Sequence, residues 1–369
     1  MKAAFVYTPR LASAGFPDHV LLPTRLQYVY ELLEAYGAFS RSRLLVPRPA
    51  RIRELTAFHT PEYVKAVREL SQGKGGVDPA RFNLSADGDN PHYPGMYETS
   101  LLPVGGSLVA AMHMVKGTRE VVFNPSGGHH HAAADCASGF CIFNDVVVAI
   151  NYFLSRGMRV AYVDIDAHHG DGVQEAFYHT DQVLTISCHE WGDFLFPGTG
   201  GVEEIGLGVG RGYSANLPLY PGTDDGVYLE AFHQVVPPLV SAFAPDVLVT
   251  QLGCDTHYQD PLTHLCLTIQ GYCRLVEEFK GLAPRWLALG GGGYEPGVVA
   301  RAWAAAYGVM AGLDLPDQIP GSFREKYGLG HLWDTEGPDV PRDQVEEARR
   351  FARHQVEQLQ ALVFPYHRV

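Results

Sequence analysis

Six short apolar runs rich in β-branched residues recur along the chain, at residues 3–7, 121–124, 160–166, 183–189, 247–253 and 286–289. Helix-like stretches lie between them. Thr60-Pro61-Glu62 offers an N-cap and a first-turn proline, and Tyr63, Val67 and Leu70 follow on one face. Leu26, Val29, Tyr30 and Leu33 mark a similar stripe closed by Gly37. Residues 144–156 end in the same way at Gly157, and Asp343 with Glu346 suits a capping box for a last amphipathic helix. Strands apolar enough to be buried on both faces, alternating with helices, predict a central, mostly parallel β-sheet flanked by helices on both faces. No repeat, low-complexity tract or linker divides the chain, so residues 1–369 are expected to form a single α/β domain.

Composition removes several alternatives. A formal net charge of −13 argues against a direct nucleic-acid binder, which needs a basic face to neutralise phosphates. The six cysteines form no C-x-x-C pair, which suits reduced, buried thiols better than a disulfide frame or zinc knuckle. The apolar run before Thr8-Pro9-Arg10 is too short for a signal sequence, and no long apolar segment suggests a membrane span. A soluble, cytoplasmic protein is expected.

Four of the runs lead directly into polar, ligand-type residues. They continue into Gly127-Gly128-His129-His130-His131, into Asp164-Ile165-Asp166-Ala167-His168-His169-Gly170-Asp171, into Asp255 and then His257-Tyr258-Gln259-Asp260, and into Gly290-Gly291-Gly292-Gly293-Tyr294. In open parallel sheets ligands bind beyond the carboxyl ends of the strands. All four segments are therefore expected at one crevice.

In extended backbone, residues two apart project to the same side, so Asp166 and His168 can hold one ion together. A catalytic zinc takes three protein ligands and keeps a position open, and Asp260 is the candidate for the third. A lone aspartate at a strand end often only caps the next helix; the packing of Asp164, Asp166 and His168 into one segment favours a ligand role. His130 and His131 follow two glycines that let backbone approach a ligand, and paired imidazoles beside carboxylates suit proton transfer near neutral pH. Asp164 and Asp171 are placed to orient one imidazole each. The four-glycine run lacks both nucleotide-binding spacings and is read as a tight turn presenting the Tyr294 hydroxyl. Residues 206–212 likewise fit no nucleotide pattern and are read as a loop, and neither H-E-x-x-H nor G-x-S-x-G occurs.

These residues resemble the histone deacetylase superfamily, and within it the bacterial acetoin-utilisation deacetylases, which are similar to class I histone deacetylases. The resemblance rests on residues 127–132 (GGHHHA), 137–145 (ASGFCIFND), 162–173 (YVDIDAHHGDGV), 196–200 (FPGTG), 253–262 (GCDTHYQDPL) and 290–294 (GGGGY), in family order, and covers about residues 17–312. It leaves residues 313–369 as a largely helical extension. It implies an arginase/deacetylase-like fold and hydrolysis of the acetamide of acetyl-lysine or a small acetylated amine. It implies a catalytic Zn2+ on Asp166, His168 and Asp260, with His131 as principal base and acid, held by Asp171, and His130 as its partner, held by Asp164. Tyr294 would donate to the substrate carbonyl. Substrate contacts fall to Gly139, Phe140, Phe196 and Leu267 along a narrow tunnel, to Asp89 at its rim, and to Arg25 beside a channel for acetate release. Structural K+ is implied at Asp164, Asp166, His168, Ser187 and Cys188, with a second site at Phe177, Thr180, Val183 and Tyr213.

Departures from the family pattern bear on the substrate. His129 stands where a leucine or aromatic residue is common, His257, Tyr258 and His264 surround Asp260, and an extra residue precedes Phe196. Three alternatives compete. An arginase-type ureohydrolase with two manganese ions expects Asp-Ala-His-x-Asp, but here the carboxylate comes one place later, at Asp171. An acetylpolyamine amidohydrolase would share the chemistry with a different substrate. A non-catalytic ligand sensor would have lost Tyr294 or a histidine, and none is missing.

Overall fold

The computed structural model describes residues 2–12 and 19–369; the start of the family-like stretch, at Pro17, lies outside them. Eight strands form one sheet: β1 (Ala3–Val6), β2 (Arg43–Leu45), β3 (Val121–Asn124), β4 (Val160–Asp164), β5 (Val183–Glu190), β6 (Ser214–Leu219), β7 (Val247–Gln251) and β8 (Trp286–Leu289). The order across the sheet is β2-β1-β3-β8-β7-β4-β5-β6, and every pairing is parallel. The six apolar runs all appear as strands. The two strands that sequence patterning missed, β2 and β6, are the two edges. An edge strand pairs on one side only, so β2 tolerates an exposed Arg43 and β6 tolerates Pro218, which has no N–H to give.

Alternation along the strands divides their side chains between two apolar layers. Phe5, Phe123, Ala161, Val163, Leu248 and Ala288 join one core with Trp303 and Tyr307. Val6, Val122, Val160, Tyr162, Val249 and Leu287 join another with Val146 and Phe153. Helices therefore cover both faces, as a parallel sheet requires.

Local signals hold in most places. The Thr60 hydroxyl accepts the Tyr63 N–H, and the Asn144 amide oxygen accepts the Val147 N–H. Gly37 and Gly157 close their helices at φ 69° and 72°. The capping box at Asp343 is corrected. The last helix, Arg342–His367, starts behind Pro341 with no side-chain cap, and Asp343 lies inside its first turn. There its charge still complements the helix dipole, while the fixed φ of proline sets the entry. Beyond residue 312 the chain adds the helices Gly321–Tyr327 and Arg342–His367, the latter packed on the helix Asp225–Phe243 and on β6. Among the described residues no helix is long and apolar enough to cross a membrane.

One consequence governs the site. The order places β3, β8, β7 and β4 side by side, with Asn124, Leu289, Gln251 and Asp164 in a single register row. The four strands with ligand-type continuations are contiguous, and their carboxyl ends share one edge.

Candidate active site

Beyond β4 the chain folds on its own carboxylates. Asp164 Oδ1 accepts the Asp166 N–H at 3.1 Å, and Asp166 Oδ1 accepts the His168 N–H at 3.0 Å. This brings His168 Nδ1 to 3.0 Å from Asp166 Oδ1 and 3.0 Å from Asp255 Oδ2. Ligand atoms of Asp166, His168 and Asp255, all buried, lie within 4.8 Å of one another. Asp260 borders this group. Its two oxygens accept the N–H groups of Leu262, at 3.0 Å, and Tyr294, at 2.9 Å, and its charge is felt by His168 and Asp166. Asp255 has no role in the sequence reading beyond its position at the end of β7. No local signal marks its place in the cluster; in the structure it lies against Gly292, where a Cβ would run into the Asp255 carboxylate.

Charge crowds here. Burial, and then the neighbouring Asp166, push Asp255 up to about 7. Burial pushes Asp260 up to about 6. Burial also works against Asp166, yet His130 and His168 hold it well below its usual range. Two buried carboxylates, Asp166 and Asp255, converge on the His168 imidazole, while Asp260, the expected third ligand, stands outside that group. The oxygen and nitrogen donors are of the kind divalent zinc takes, and a cation among them would offset the repulsion. The residues present fit the ion that the resemblance implies. Gln251, unassigned in the sequence, donates to Asp166 Oδ2 at 2.6 Å and aims that carboxylate.

The histidine loop hangs on a second buried carboxylate. Asp145 opens the helix Asp145–Leu154 and accepts the N–H groups of Gly128, at 3.0 Å, and His129, at 2.8 Å, and the Ser107 hydroxyl. The Asn144 side chain donates to the carbonyls of His130 and Ala132. So held, His130 places Nδ1 at 2.7 Å from Asp164 Oδ2, and His131 places Nδ1 at 2.6 Å from Asp171 Oδ1. The two rings lie 4.0 Å apart. Burial and the neighbouring His130 bring His131 down to about 4, so it is neutral at pH 7. His130 is equally buried, but Asp164 and Asp166 overcome that and raise it to about 9. One imidazole is ready to accept a proton while the other carries one. His129 instead turns Nδ1 to Asp145 Oδ1, at 3.2 Å.

The Gly290–Tyr294 turn spends its glycine carbonyls and the N–H groups of Gly290, Gly292 and Tyr294 inside the protein, in keeping with a turn and not a phosphate cradle. The Gly292 N–H goes to Asp166 Oδ2, at 2.7 Å, and the Tyr294 N–H to Asp260. Arg25, buried and stacked over Trp303, donates to the carbonyls of Gly293 and Gly291 at 2.8 and 2.7 Å. Burial, Asp255 and Asp166 raise the Tyr294 phenol well above its ordinary value, so it stays protonated and can donate. Its ring centroid is 6.4 Å from that of His168 and 5.9 Å from that of Phe140.

A cleft lined by Leu21, Gly128, His131, Phe140, Asp166 and Tyr294 leads to these groups. Gly139, at φ 48°, passes so close to the His131 ring that a Cβ would collide with it. Phe140 also has a positive φ, 68°, and is held by its N–H to Asn90 Oδ1 at 3.0 Å. Phe196, half exposed, stands edge-on to His131 with centroids 5.1 Å apart. Asp89 lines an adjoining wider cavity with His19, Asn90, Tyr93 and His129. Leu267 is 1% exposed and packs into the core beside the 255–260 turn instead of forming an open wall. Of the residues linked to potassium, Ser187 Oγ lies 2.9 Å from His189 Nδ1, and the Cys188 carbonyl accepts the Tyr228 hydroxyl. The Phe177 and Tyr213 carbonyls accept the N–H groups of Thr180 and Thr185, and Val183 pairs with Val160 in the sheet.

Proton-transfer groups buried at the carboxyl edge of a parallel sheet, next to converging ligand atoms, equip a hydrolytic α/β enzyme. Comparison with known proteins narrows that class. The histone deacetylase domain matches residues 19–310, and the chain belongs to the histone deacetylase family. It is 41% identical to the acetoin utilization protein AcuC of Bacillus subtilis over 326 residues, covering 86% of this chain and 84% of that one. It is 38% identical to human histone deacetylase 1 over 305 residues, covering 82% of this chain and 63% of the human protein. The crystal structure of a histone deacetylase homologue from Aquifex aeolicus superposes with a TM-score of 0.86 at 31% identity, covering 95% of this chain and all of that one. A second structure, of such a homologue complexed with SAHA, gives 0.87 at 31% identity over 96% of this chain and all of that one. The chain is a hydrolase of the deacetylase kind.

Proposed function

We propose that this protein removes the acetyl group from acetyl-lysine, in a protein or as a small acetylated amine, with one zinc ion held by Asp166, His168 and Asp260. Asp255, which accepts the Ala167 N–H at 2.9 Å, braces the ligand loop from the next strand. The observation that carries the reading is the placement of His131, fixed by Asp171 at 2.6 Å with its ring centroid 6.0 Å from that of His168, beside the Asp166–His168–Asp255 cluster. Bound zinc supplies Lewis acidity, which polarises an amide carbonyl and makes water acidic enough to attack near pH 7.

The protein's own groups do the rest. With Nδ1 turned to Asp171, His131 leaves Nε2 to take the proton from the attacking water. His130, held by Asp164, carries a proton through the cycle, and the pair returns one to the departing amine. Tyr294 donates to the carbonyl oxygen as negative charge develops there. Phe140 and Phe196 flank the aliphatic stem, and Asp89 at the rim faces the substrate's amide groups. Asp171 is committed to His131, which disfavours the two-manganese alternative, since that mechanism needs a free carboxylate for a second ion.

The test is acetate release from acetyl-lysine peptides and acetylpolyamines by metal-defined protein. Zinc-loaded enzyme is expected to turn over, while chelated enzyme and Asp166→Ala are inactive. Full activity in zinc-free protein would overturn the mechanism, and two manganese ions per chain would restore the ureohydrolase reading.

A further inference from the structure

The turn that carries Asp255 and Asp260 is braced from a part of the chain beyond the matched domain. Within it the His257 N–H donates to the Cys254 carbonyl, and the His257 carbonyl accepts the Asp260 N–H at 2.8 Å, so His257 sits between the two carboxylates. Its ring Nδ1 accepts the Gln259 N–H at 3.1 Å, which leaves the ring proton on Nε2. That nitrogen meets Asp334 Oδ2 at 2.9 Å, with both side chains 3% exposed. The same oxygen accepts the N–H of Ile269, the first residue of the helix Ile269–Glu278, at 2.7 Å. Asp334 Oδ1 takes Arg301 at 2.8 Å, and Arg301 belongs to the helix Pro296–Ala311, which starts two residues after Tyr294. Gln270 fixes the Asp334 backbone on both sides, accepting its N–H and donating to its carbonyl. Two residues on, the Glu336 carbonyl accepts the Tyr258 hydroxyl.

We propose that Asp334 is a positioning residue for the active site: one buried carboxylate, clamped by His257, Ile269 and Arg301, holds the Asp255–Asp260 turn in register with the helix behind Tyr294. The proposal rests on the zinc deacetylase reading above. Nothing local marks Asp334, which lies 77 residues from His257 and outside residues 19–310. Its three donors include a guanidinium, and hydrogen bonds to a charged carboxylate are about twice as strong as neutral ones. A group that orients ligand-bearing backbone tunes the affinity for the ion, whereas a group that only glues a surface segment does not.

Zinc affinity by chelator competition, with kcat and KM on an acetyl-lysine peptide, separates the two roles in full-length protein. Asp334→Ala is expected to lose about 10–100-fold in zinc affinity and to lower kcat with KM little changed. Asp334→Asn, which keeps an acceptor oxygen, is expected to recover part of both, and Asp339→Asn, on the exposed stretch nearby, to match the parent. Unchanged zinc affinity in folded Asp334→Ala, with only the melting temperature lowered, would overturn the proposal. Should Asp334→Ala not fold, the cycle of Asp334→Asn with His257→Leu decides. Losses in zinc affinity that overlap support the clamp, and losses that add independently refute it. A parent protein that binds zinc but releases no acetate would sink the deacetylase reading, while the affinity comparison would still judge the clamp.

Discussion

The crevice at the carboxyl edge and the solvent-facing seam between the helices Asp225–Phe243 and Arg342–His367 both pair carboxylates with cationic or protonatable side chains, at nearly the same distances. In the crevice, His130 meets Asp164 at 2.7 Å and His131 meets Asp171 at 2.6 Å. At the seam, Arg349 and Arg353 meet Glu230 at 2.5 and 2.9 Å. Geometry alone would rank these contacts together. Solvent separates them: the His130 and Asp164 side chains are 4% and 0% exposed, against 60% and 35% for Arg353 and Glu230. In water a pair about 4 Å apart gains about 1 kcal/mol, and several times that at the lower effective dielectric near and inside protein, where each partner has also given up its hydration. Inside the crevice a group deprived of its partner has no water to replace it. The same contact can therefore be indispensable at one end of the molecule and nearly neutral at the other.

The sharpest way to break this contrast is at Asp145, a fully buried carboxylate that accepts the N–H groups of Gly128 and His129 and the Ser107 hydroxyl. Asp145→Ala leaves those donors unsatisfied and frees the loop bearing His130 and His131. Urea unfolding is expected to show a loss of about 3–5 kcal/mol, the usual cost of breaking a buried charged cluster. A loss below about 1 kcal/mol would put this site in the surface class and end the distinction.

Next comes Tyr294, to which the proposed function gives a part in chemistry more than in folding. Tyr294→Phe keeps the ring packing against Phe140 and His168 and removes only the donor. Removing one donor to a developing oxyanion typically costs about 100- to 1,000-fold in kcat, or about 2.7–4 kcal/mol. On the proposed zinc reading, the variant is expected to bind zinc as the parent does and to keep nearly all its stability. Loss of zinc along with activity would instead make the phenol a structural support of the cluster.

The contrast between interior and surface also decides what was legible in the sequence. Residues 121–124, 160–166, 247–253 and 286–289 stood out because a strand buried on both faces must be apolar throughout, and the switch to His, Asp and Gly at their ends is abrupt. The link from Asp166 to His168 was legible because it is local, although the backbone that makes it is a bend closed by the His168 N–H on Asp166 Oδ1 and not the extended chain expected. Membership of Asp255 in the cluster was not, because the shape of the turn between Asp255 and Asp260 depends on His257, and His257 depends on Asp334. That dependence spans 77 residues and leaves no periodic trace. Strand β2 escaped because three residues with an exposed Arg43 carry too little apolar pattern, and β6 because Ser214, Asn216 and Pro218 interrupt its apolar run although all six residues are buried. The capping box at Asp343 failed on the surface, where a proline and an acidic first turn start a helix as well as a box does.

The smallest effect is expected at Glu230. Its carboxyl is held below the usual range mainly by hydrogen bonding to Arg353, against a slight opposing effect of burial, with the charges of Arg353 and Arg349 adding to the shift. A carboxyl depressed in the folded state stabilises at pH values above its unfolded pKa, about 4.3 for Glu, and that contribution fades as pH falls through the folded value. Because both arginines reach water, the contribution is discounted to about 0–1 kcal/mol. Comparing the unfolding free energy of the parent and Glu230→Gln from pH 7 to pH 3 is expected to give two curves offset by no more than that above about pH 5 and converging below about pH 4. Salt at about 1 M should shrink the offset at pH 7, since screening then acts within about 3 Å. An offset of several kcal/mol that ignored salt would mean that the last helix is pinned by a charge behaving as those in the crevice do, and exposure would no longer predict which pairs matter.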